Sequence, residues 1–348
     1  MRSRVTMVFA VVAVMLGGVL LVPAAYARLS TDNSGGGAGG GGAVNAATPT
    51  PTPTSAPTSA PAPAPAPAPA PPPPPTLAAG RVSVAFKGDF FSWSLLDRQS
   101  GKISGSSNMA STSSTESMIK AWIVSDYLRQ IGNREPPPAL KESARLAIVD
   151  SNDGAADKVY AAAGGSYKPS KSSTPDPVIQ RAIKICRLTD TKRGNVEPYT
   201  GYWSYTRMSP RDAARVGDCI ADGKAAGPKW TKWVLEQMSQ VRGTTAKKDQ
   251  KPGYGGGRWG IIDGLPKSIT AQGPVSIKNG WTPIGSDGNW HVNCLAVNGK
   301  WSLAVMLRYP VKQGLDYGAQ VCASVASQLV TPQPGAALKV PQQPVGKL

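Results

Sequence analysis

"SSTESMIKAWIVSDYLRQIG", residues 113–132, has the pattern of one amphipathic helix with a polar start. Apolar side chains recur at three-and-four spacing from Ile119 to Leu128, and Gly132 ends the pattern. Ser117 and Lys120 lie one turn apart near the start, so their side chains project the same way. Unpaired N–H groups at a helix start can stabilise an oxyanion beside such a serine. Two interpretations are open: a catalytic dyad, or two polar residues that share a helical face.

The regions on either side of this helix differ in their patterns. Strand patterns occupy 81–107 and 274–310, whereas 136–222 is helical throughout. Further helices are predicted at 229–238 and 318–330. Strands from both ends of the sequence are therefore expected to form one antiparallel sheet, with an all-helical lobe inserted between them. The predicted fold class is α+β.

The first 27 residues predict the compartment. Arg2 and Arg4 precede an uncharged, largely apolar run that ends in Ala25-Tyr26-Ala27. The pattern of residues 1–27 is typical of a secretory signal peptide, and an uncleaved membrane anchor is the alternative. In both cases we expect the rest of the chain to be secreted or membrane-anchored outside the cytoplasm, with membrane contact only through this segment.

The remainder divides by composition. Residues 28–80 are rich in glycine, proline and alanine and have almost no large apolar side chain to bury, so they predict a linker. Residues 331–348 are loop-like and are expected to form a disordered tail. Residues 81–330 are left as one large globular domain, which is long enough to bury a core.

Positive charge is concentrated in this domain. Of the 38 basic and 21 acidic residues of the chain, 33 and 20 fall within 81–330, a formal net charge of +13. Such a surface favours anionic partners, which outside the cytoplasm include anionic cell-wall polymers; a solvated basic surface that aids solubility is the alternative. The predicted export and the lack of a recognisable motif argue against nucleic acid as a partner.

The cysteines form an even set in a chain with an export signal: Cys186, Cys219, Cys294 and Cys322. No Cys-x-x-Cys spacing occurs and the chain has one histidine, so no metal site is expected. The first two lie in neighbouring helical patterns, while the third lies in a strand and the fourth in the last helix. We therefore predict disulfides 186–219 and 294–322, with free buried thiols as the alternative.

Nucleophilic catalysis by Ser117 would need a base, and the sequence offers two kinds. His291 is the only histidine, and its strand pattern indicates a packed or surface strand residue. A lysine can serve instead when burial and a second nearby cation lower its pKa. Lys120 is the candidate base and Lys278 is the candidate second cation.

Three short motifs occur in a fixed order: "SMIK" at 117–120, "SND" at 151–153 in the helical part, and "KNG" at 278–280 on a returning strand. With this order and these contexts, the domain at 81–330 resembles the penicillin-recognising serine hydrolases, meaning class A β-lactamases and D,D-peptidases, and especially their compact actinobacterial relatives. The resemblance implies a β-lactamase/transpeptidase-like fold and an acyl-enzyme mechanism that uses no cofactor.

The resemblance also implies a role for each matching residue. Ser117 is the acylated nucleophile, Lys120 is its base, and Ser151 relays a proton toward the leaving group. Lys278 holds a substrate carboxylate and helps to lower the pKa of Lys120. The backbone N–H groups of Ser117 and Trp281 bind the oxyanion. The substrate-binding positions implied in this way are Asp153, Asn279, Gly280 and Trp281.

Some positions depart from the family pattern. Asp153 replaces an asparagine that binds the substrate amide, and its carboxylate can pair with Lys120 but cannot donate a hydrogen bond. Asn279 stands where threonine or serine usually contacts the substrate carboxylate. No Glu-x-x-Leu-Asn element precedes Ser209, and we interpret the nearby Glu197 as an ordinary loop residue. Without that base, an acyl-enzyme would persist.

Two functions are therefore open. The first is an exported serine hydrolase that forms an acyl-enzyme on Ser117, with β-lactams or peptidoglycan fragments as partners and amide or ester bonds as targets. The second is a catalytically decayed domain of the same fold, which binds a cell-wall polymer or another partner through its basic surface.

Overall fold

The computed structural model describes residues 82–166, 176–194, 196, 199–333 and 336–339. The predicted signal segment, the predicted linker and residues 340–348 lie outside these ranges. Within them, no helix combines the length and the apolar character that a membrane span requires.

The described strands are β1 (Phe90–Asp97), β2 (Ile103–Gly105), β3 (Ser113–Ser114), β4 (Arg207–Met208), β5 (Gln250–Lys251), β6 (Tyr254–Gly255), β7 (Ser276–Ile277), β8 (Gly280–Ile284), β9 (Asn289–Val297), β10 (Trp301–Pro310), β11 (Thr331–Gln333) and β12 (Ala336–Lys339). The α-helices are α1 (Lys120–Ile131), α2 (Pro138–Val149), α3 (Asp153–Ala162), α4 (Pro177–Ile185), α5 (Pro210–Ala221), α6 (Pro228–Ser239), α7 (Lys267–Thr270) and α8 (Gly314–Leu329). A 3₁₀ turn at Glu116–Ile119 leads into α1.

One antiparallel sheet joins the two ends of the domain. Its strand order is β2-β1-β10-β9-β7. β8 also pairs with β9, along a different part of that strand from the part that pairs with β7. β1 and β2 precede the inserted helices in the sequence, whereas β7 to β10 follow them. The predicted α+β class, with a sheet from both ends and a helical lobe between, is therefore confirmed.

The strand pattern at 81–107 is realised only in part, because residues 82–87 are irregular. The side-chain amide of Gln328 replaces a strand partner here: its oxygen accepts from the Ser83 N–H at 2.9 Å, and its nitrogen donates to the Ser83 carbonyl at 3.0 Å. At the other end of the domain, β11 and β12 pair within the segment predicted as a tail.

The sheet is covered on both faces, since nearly every residue of β9 and β10 is buried. Both predicted disulfides are confirmed. Cys186–Cys219 ties the end of α4 to α5, and Cys294–Cys322 ties β9 to α8. Each closes a loop of about 30 residues and contributes about 3 to 4 kcal/mol in the loop-entropy model.

Capping residues fix the starts of two helices of the helical lobe, of which α3 carries Asp153. Asn152 caps α3, its Oδ1 accepting from the Ala155 N–H at 2.8 Å. Ser209 caps α5 in the same way through Asp212, at 3.1 Å. The predicted helix at 113–132 starts later than its pattern suggested, because Ser113 and Ser114 form β3 and pair with β4.

Candidate active site

Ser117 is partly exposed at a cleft of about 370 Å³ between the helical lobe and the sheet edge. Ser151 and Asp153 line the cleft on the helical side, and the β5–β6 hairpin and the outer edge of β8 line it elsewhere. The cleft therefore places the predicted nucleophile where a ligand can reach it.

Two lysine side chains from distant parts of the chain converge beneath this cleft. Lys120 Nζ donates to Asp153 Oδ1 and to the Ser151 carbonyl, both at 2.5 Å, and lies 3.5 Å from Ser151 Oγ. Lys278 Nζ donates to the same Oγ at 2.8 Å and to the Asn279 carbonyl at 3.1 Å. Both amines are buried. Lys120, Ser151, Asp153 and Lys278 are called the amine cluster below.

The amine cluster contains two amines and one carboxylate. A buried ammonium without a counter-charge is costly, so the Lys120–Asp153 pair accounts for one positive charge only. Burial lowers the pKa of Lys120, although Asp153 opposes this effect. Burial and the charge of Lys120 hold the pKa of Lys278 well below its ordinary value. These effects disfavour a second positive charge in the amine cluster, and Lys278, which has no carboxylate partner among the described residues, is driven more strongly toward its neutral form than Lys120.

This arrangement differs in two respects from the one that the resemblance implies. The amines meet at the hydroxyl of Ser151, and in the described part of the chain Lys120 Nζ makes no hydrogen bond to Ser117 Oγ. Lys278 is fully buried beneath Ser151, so its amine does not reach the cleft wall where a substrate carboxylate would lie. The pairing of Asp153 with Lys120 is present.

Ser151 holds an uncommon backbone conformation. Its φ of +52° lies in the left-handed region, which non-glycine residues seldom occupy. The conformation turns its carbonyl toward Lys120 while its hydroxyl meets Lys278, and the cap of Asn152 fixes the following turn. Backbone strain at this position is thus coupled to the geometry of the amine cluster.

Gly280 allows the edge of β8 to approach the turn that carries Ser117. A Cβ at this position would lie 2.5 Å from the Thr115 carbonyl oxygen and the Met118 nitrogen, and 2.8 Å from the Ser117 nitrogen. Any side chain would therefore push the strand away from the nucleophile. Gly280 acts through this close approach and has no side chain to offer a ligand.

The register of β8 orients a second backbone donor toward the nucleophile. The Lys278 N–H donates to the Leu295 carbonyl, and successive residues of an antiparallel edge strand point alternately toward and away from the partner strand. The N–H of Trp281 therefore points away from β9, on the side of Ser117. Its indole is held by a 2.9 Å bond from Nε1 to Gln250 Oε1.

Asn279 does not take the place that the resemblance implies. Its side chain is buried, and Nδ2 donates to the carbonyls of Gly257 at 2.9 Å and Trp259 at 2.8 Å. An amide can satisfy two buried acceptors, whereas a hydroxyl has only one proton to donate. Asn279 therefore anchors the neighbouring loop and does not line the cleft.

A polar chain that the sequence analysis missed runs behind the nucleophile. Glu116 precedes Ser117, is buried, and has a φ of +48°. Its Oε1 lies 2.6 Å from Ser114 Oγ, which lies 2.6 Å from His291 Nδ1. His291 Nε2 lies 2.7 Å from Asp287 Oδ2 at the protein surface. His291 is thus a buried member of a polar chain and is not in contact with Ser117.

The donors and acceptors of this chain allow two proton arrangements. A serine hydroxyl has one proton, so Ser114 can donate to Glu116 or to His291 but not to both. If Glu116 is ionised, His291 must carry protons on both nitrogens; if Glu116 is protonated, His291 can be neutral. Burial raises the pKa of Glu116 to about 7 and lowers that of His291. Burial therefore favours the uncharged arrangement.

No group of three or more possible metal ligands occurs among the described residues. Glu197, which sequence analysis interpreted as a loop residue, lies outside the described residues. Asp153 is the one carboxylate among the described residues that line the cleft.

No family model matches the chain, and no curated protein matches its sequence. Among solved structures, PBP-A is similar with 16% identity and a TM-score of 0.48, over 72% of this chain and 97% of that chain. A β-lactamase from Xanthomonas campestris pv. campestris has the same identity and TM-score, over 69% and 91%. One from Desulfarculus baarsii has 12% identity and a TM-score of 0.49, over 69% and 90%. Similarity at this level supports no statement about the chemistry of the site.

We predict that Glu116→Gln changes the pH dependence of stability. Between pH 4.5, the ordinary pKa of a glutamate, and about 7, the unfolded chain releases the Glu116 proton while the folded chain keeps it. The free energy of unfolding therefore falls as pH rises through this window, by about 3 kcal/mol. Glutamine does not titrate, so the variant should gain stability over the parent from pH 4 to 8, measured by denaturant unfolding.

Glu236→Gln is the matched control, because it makes the same chemical change at an exposed position on α6. It should follow the pH profile of the parent. Parallel profiles for Glu116→Gln and the parent would show that Glu116 ionises as freely in the folded protein as in the unfolded chain.

Proposed function

We propose that the chain is an exported serine hydrolase that forms an acyl-enzyme on Ser117, acting on β-lactams or on peptidoglycan-type amide or ester bonds. The observation that carries the proposal is the amine cluster beneath an accessible serine. Two buried lysines that share one carboxylate do not stabilise the core, because burial of each amine costs free energy. Perturbed amines of this kind are typical of catalytic sites.

The choice of nucleophile rests on accessibility. Among the described residues, Ser114 is the one serine hydrogen-bonded to His291, whose other ring nitrogen is bonded to Asp287, so Ser114 would suit a Ser-His-Asp mechanism by distance alone. It is 2% exposed, however, and its hydroxyl is also bonded to Glu116. Ser117 lines the cleft, and the register of β8 points the Trp281 N–H toward it. Ser117 is therefore the group that a substrate carbonyl can approach.

The chemistry follows from the positions of the groups. One proton of Lys120 first passes through Ser151 Oγ to Lys278, which leaves Lys120 neutral. Neutral Lys120 then accepts the Ser117 proton as Oγ bonds to the substrate carbonyl carbon, and the N–H groups of Ser117 and Trp281 stabilise the oxyanion. Lys120 must first turn away from Asp153 to do so. When the carbon–nitrogen bond breaks, Ser151 passes a proton to the leaving nitrogen and is reprotonated from Lys120, 3.5 Å away.

Two further features concern the substrate and the fate of the acyl group. Because Lys278 is buried, the cation available in the cleft among its described lining residues is the exposed Lys251 on β5, which we propose as the partner of a substrate carboxylate. Asp153 is occupied by Lys120, so activation of a hydrolytic water is slow. We expect a long-lived acyl-enzyme, as in a penicillin-binding protein.

The second candidate function is a decayed domain of the same fold that binds a cell-wall polymer or another partner. The Asp153–Lys120 pair supports it, because a carboxylate 2.5 Å from the amine favours the ammonium form, which cannot accept a proton. The net charge of the domain supports an anionic partner.

Covalent labelling distinguishes the two functions. Incubation of the purified protein with a labelled penicillin should give a stable adduct that peptide mass spectrometry locates on Ser117. Ser117→Ala should abolish it, whereas Ser114→Ala, a matched change at a buried serine, should retain it. Absence of an adduct with several acylating probes would favour the binding domain, and rapid turnover of a chromogenic cephalosporin would contradict the slow deacylation.

Asp153→Asn should accelerate acylation. Loss of the carboxylate removes the effect that keeps the pKa of Lys120 from falling further, so more of the amine is neutral at pH 7. Each unit by which the pKa falls raises the neutral fraction about tenfold while the ammonium form dominates. Stopped-flow measurement of the acylation rate tests this, with Asp222→Asn, at an exposed position after α5, as the control. Slower acylation in Asp153→Asn would show that the carboxylate assists catalysis.

A further inference from the structure

A second polar depression, of about 750 Å³, shares no lining residue with the cleft. It lies where β4, β10 and the start of β1 come together, and two arginines, one lysine and several hydroxyls line it. Its lining includes Arg207, Arg308, Lys192, Thr112, Asp190 and Phe90.

Neither arginine in this depression has a carboxylate partner in the described part of the chain. Arg207 donates to Thr112, from Nε to Oγ1 at 3.2 Å and from Nη2 to the carbonyl at 2.7 Å. Arg308 lies against Phe90, with its guanidinium carbon 5.2 Å from the ring centre. Its Nε is buried and makes no hydrogen bond. Both guanidinium groups thus keep donors that no acceptor among the described residues uses.

Among the described residues that line the depression, no free carboxylate balances these groups. Asp190 lines it, but Arg211 binds both Asp190 oxygens, at 2.7 and 3.0 Å, and Ser209 donates to one of them at 2.6 Å. Lys192 is exposed and its backbone pairs with Arg207, which brings a third cation to the rim. Burial and the charge of Arg308 lower the pKa of Arg207.

We propose that Arg207 and Arg308 form a binding site for a phosphoryl group, either a phosphodiester or a phosphomonoester. A guanidinium group can donate two parallel hydrogen bonds to phosphoryl oxygens. Arg207 offers the end of its guanidinium that includes Nη1, because Nε and one N–H of Nη2 bond to Thr112. Donors that converge from separate strands suit a tetrahedral anion, whereas a planar carboxylate would use fewer of them. An anion between the two arginines would also remove their mutual repulsion. The site is independent of whether Ser117 is acylated.

Binding of small anions to the full chain tests the site. Inorganic phosphate and dimethyl phosphate are titrated at low salt, with isothermal calorimetry for affinity and thermal unfolding for the rise in Tm. In Arg308→Gln we expect at least a tenfold lower affinity and loss of the anion-dependent rise in Tm, since a charge-assisted fork is removed. Without anion, its Tm should equal or exceed that of the parent, because repulsion of Arg207 is relieved.

Two further variants make the result specific. Lys267→Gln removes the same charge at an exposed position on α7 and should bind as the parent does. Lys192→Gln changes an exposed rim residue, which avoids disturbing the core, and should weaken binding in the same direction as Arg308→Gln. Preference for dimethyl phosphate would indicate a diester such as a polymer or lipid head group supplies, and preference for inorganic phosphate a monoester. Equal binding by all variants, or equal binding of acetate, would overturn the proposal.

Discussion

The burial of two lysine amines against one carboxylate is the constraint on which the rest of the site depends. Lys120 comes from the start of α1 and Lys278 from the break between β7 and β8, so the helical lobe and the sheet must dock closely for both to reach Ser151. Because one carboxylate can balance only one of them, burial drives the second amine toward its neutral form, which water does not favour for a lysine at neutral pH. A neutral amine in this cluster can take up a proton, and the serine at the mouth of the cleft is the group that would supply it.

The backbone of β8 also contributes to the geometry around Ser117. Gly280 removes the Cβ that would separate β8 from the turn of Ser117, and the register of the sheet then aims the next N–H at the same place. Two residues with the strain of a positive φ lie close to Ser117: Glu116 precedes it in the chain, and Ser151 lines the same cleft. Such strain persists only where surrounding contacts hold it, and here the contacts are the amine cluster and the chain from Glu116 to Asp287.

Local and chemical signals in the sequence predicted much of this molecule. Both disulfides followed from which elements carry the cysteines, and the start of α5 followed from the cap at Ser209. Lys120 and Lys278 were identified through their motifs, but their meeting point was not, because the left-handed turn at Ser151 has no sequence signal. Glu116 in the first turn of a helix suggests an ordinary dipole partner, and the Ser114–His291 contact that connects it to the histidine spans a separation of 177 residues. Arg207 on β4 and Arg308 on β10 likewise come together only in the folded chain.

Lys120 and Lys278 should together carry one positive charge at neutral pH, and NMR titration of the lysine side-chain nitrogens measures this directly. With ¹⁵N-labelled lysine, and Lys120→Met and Lys278→Met variants for assignment, we predict one neutral amine signal at pH 7 that becomes an ammonium only well below the ordinary value of 10.5. Two ammonium signals that both persist until the pH approaches 10.5 would contradict the shared charge, and with it the proposed activation of Ser117.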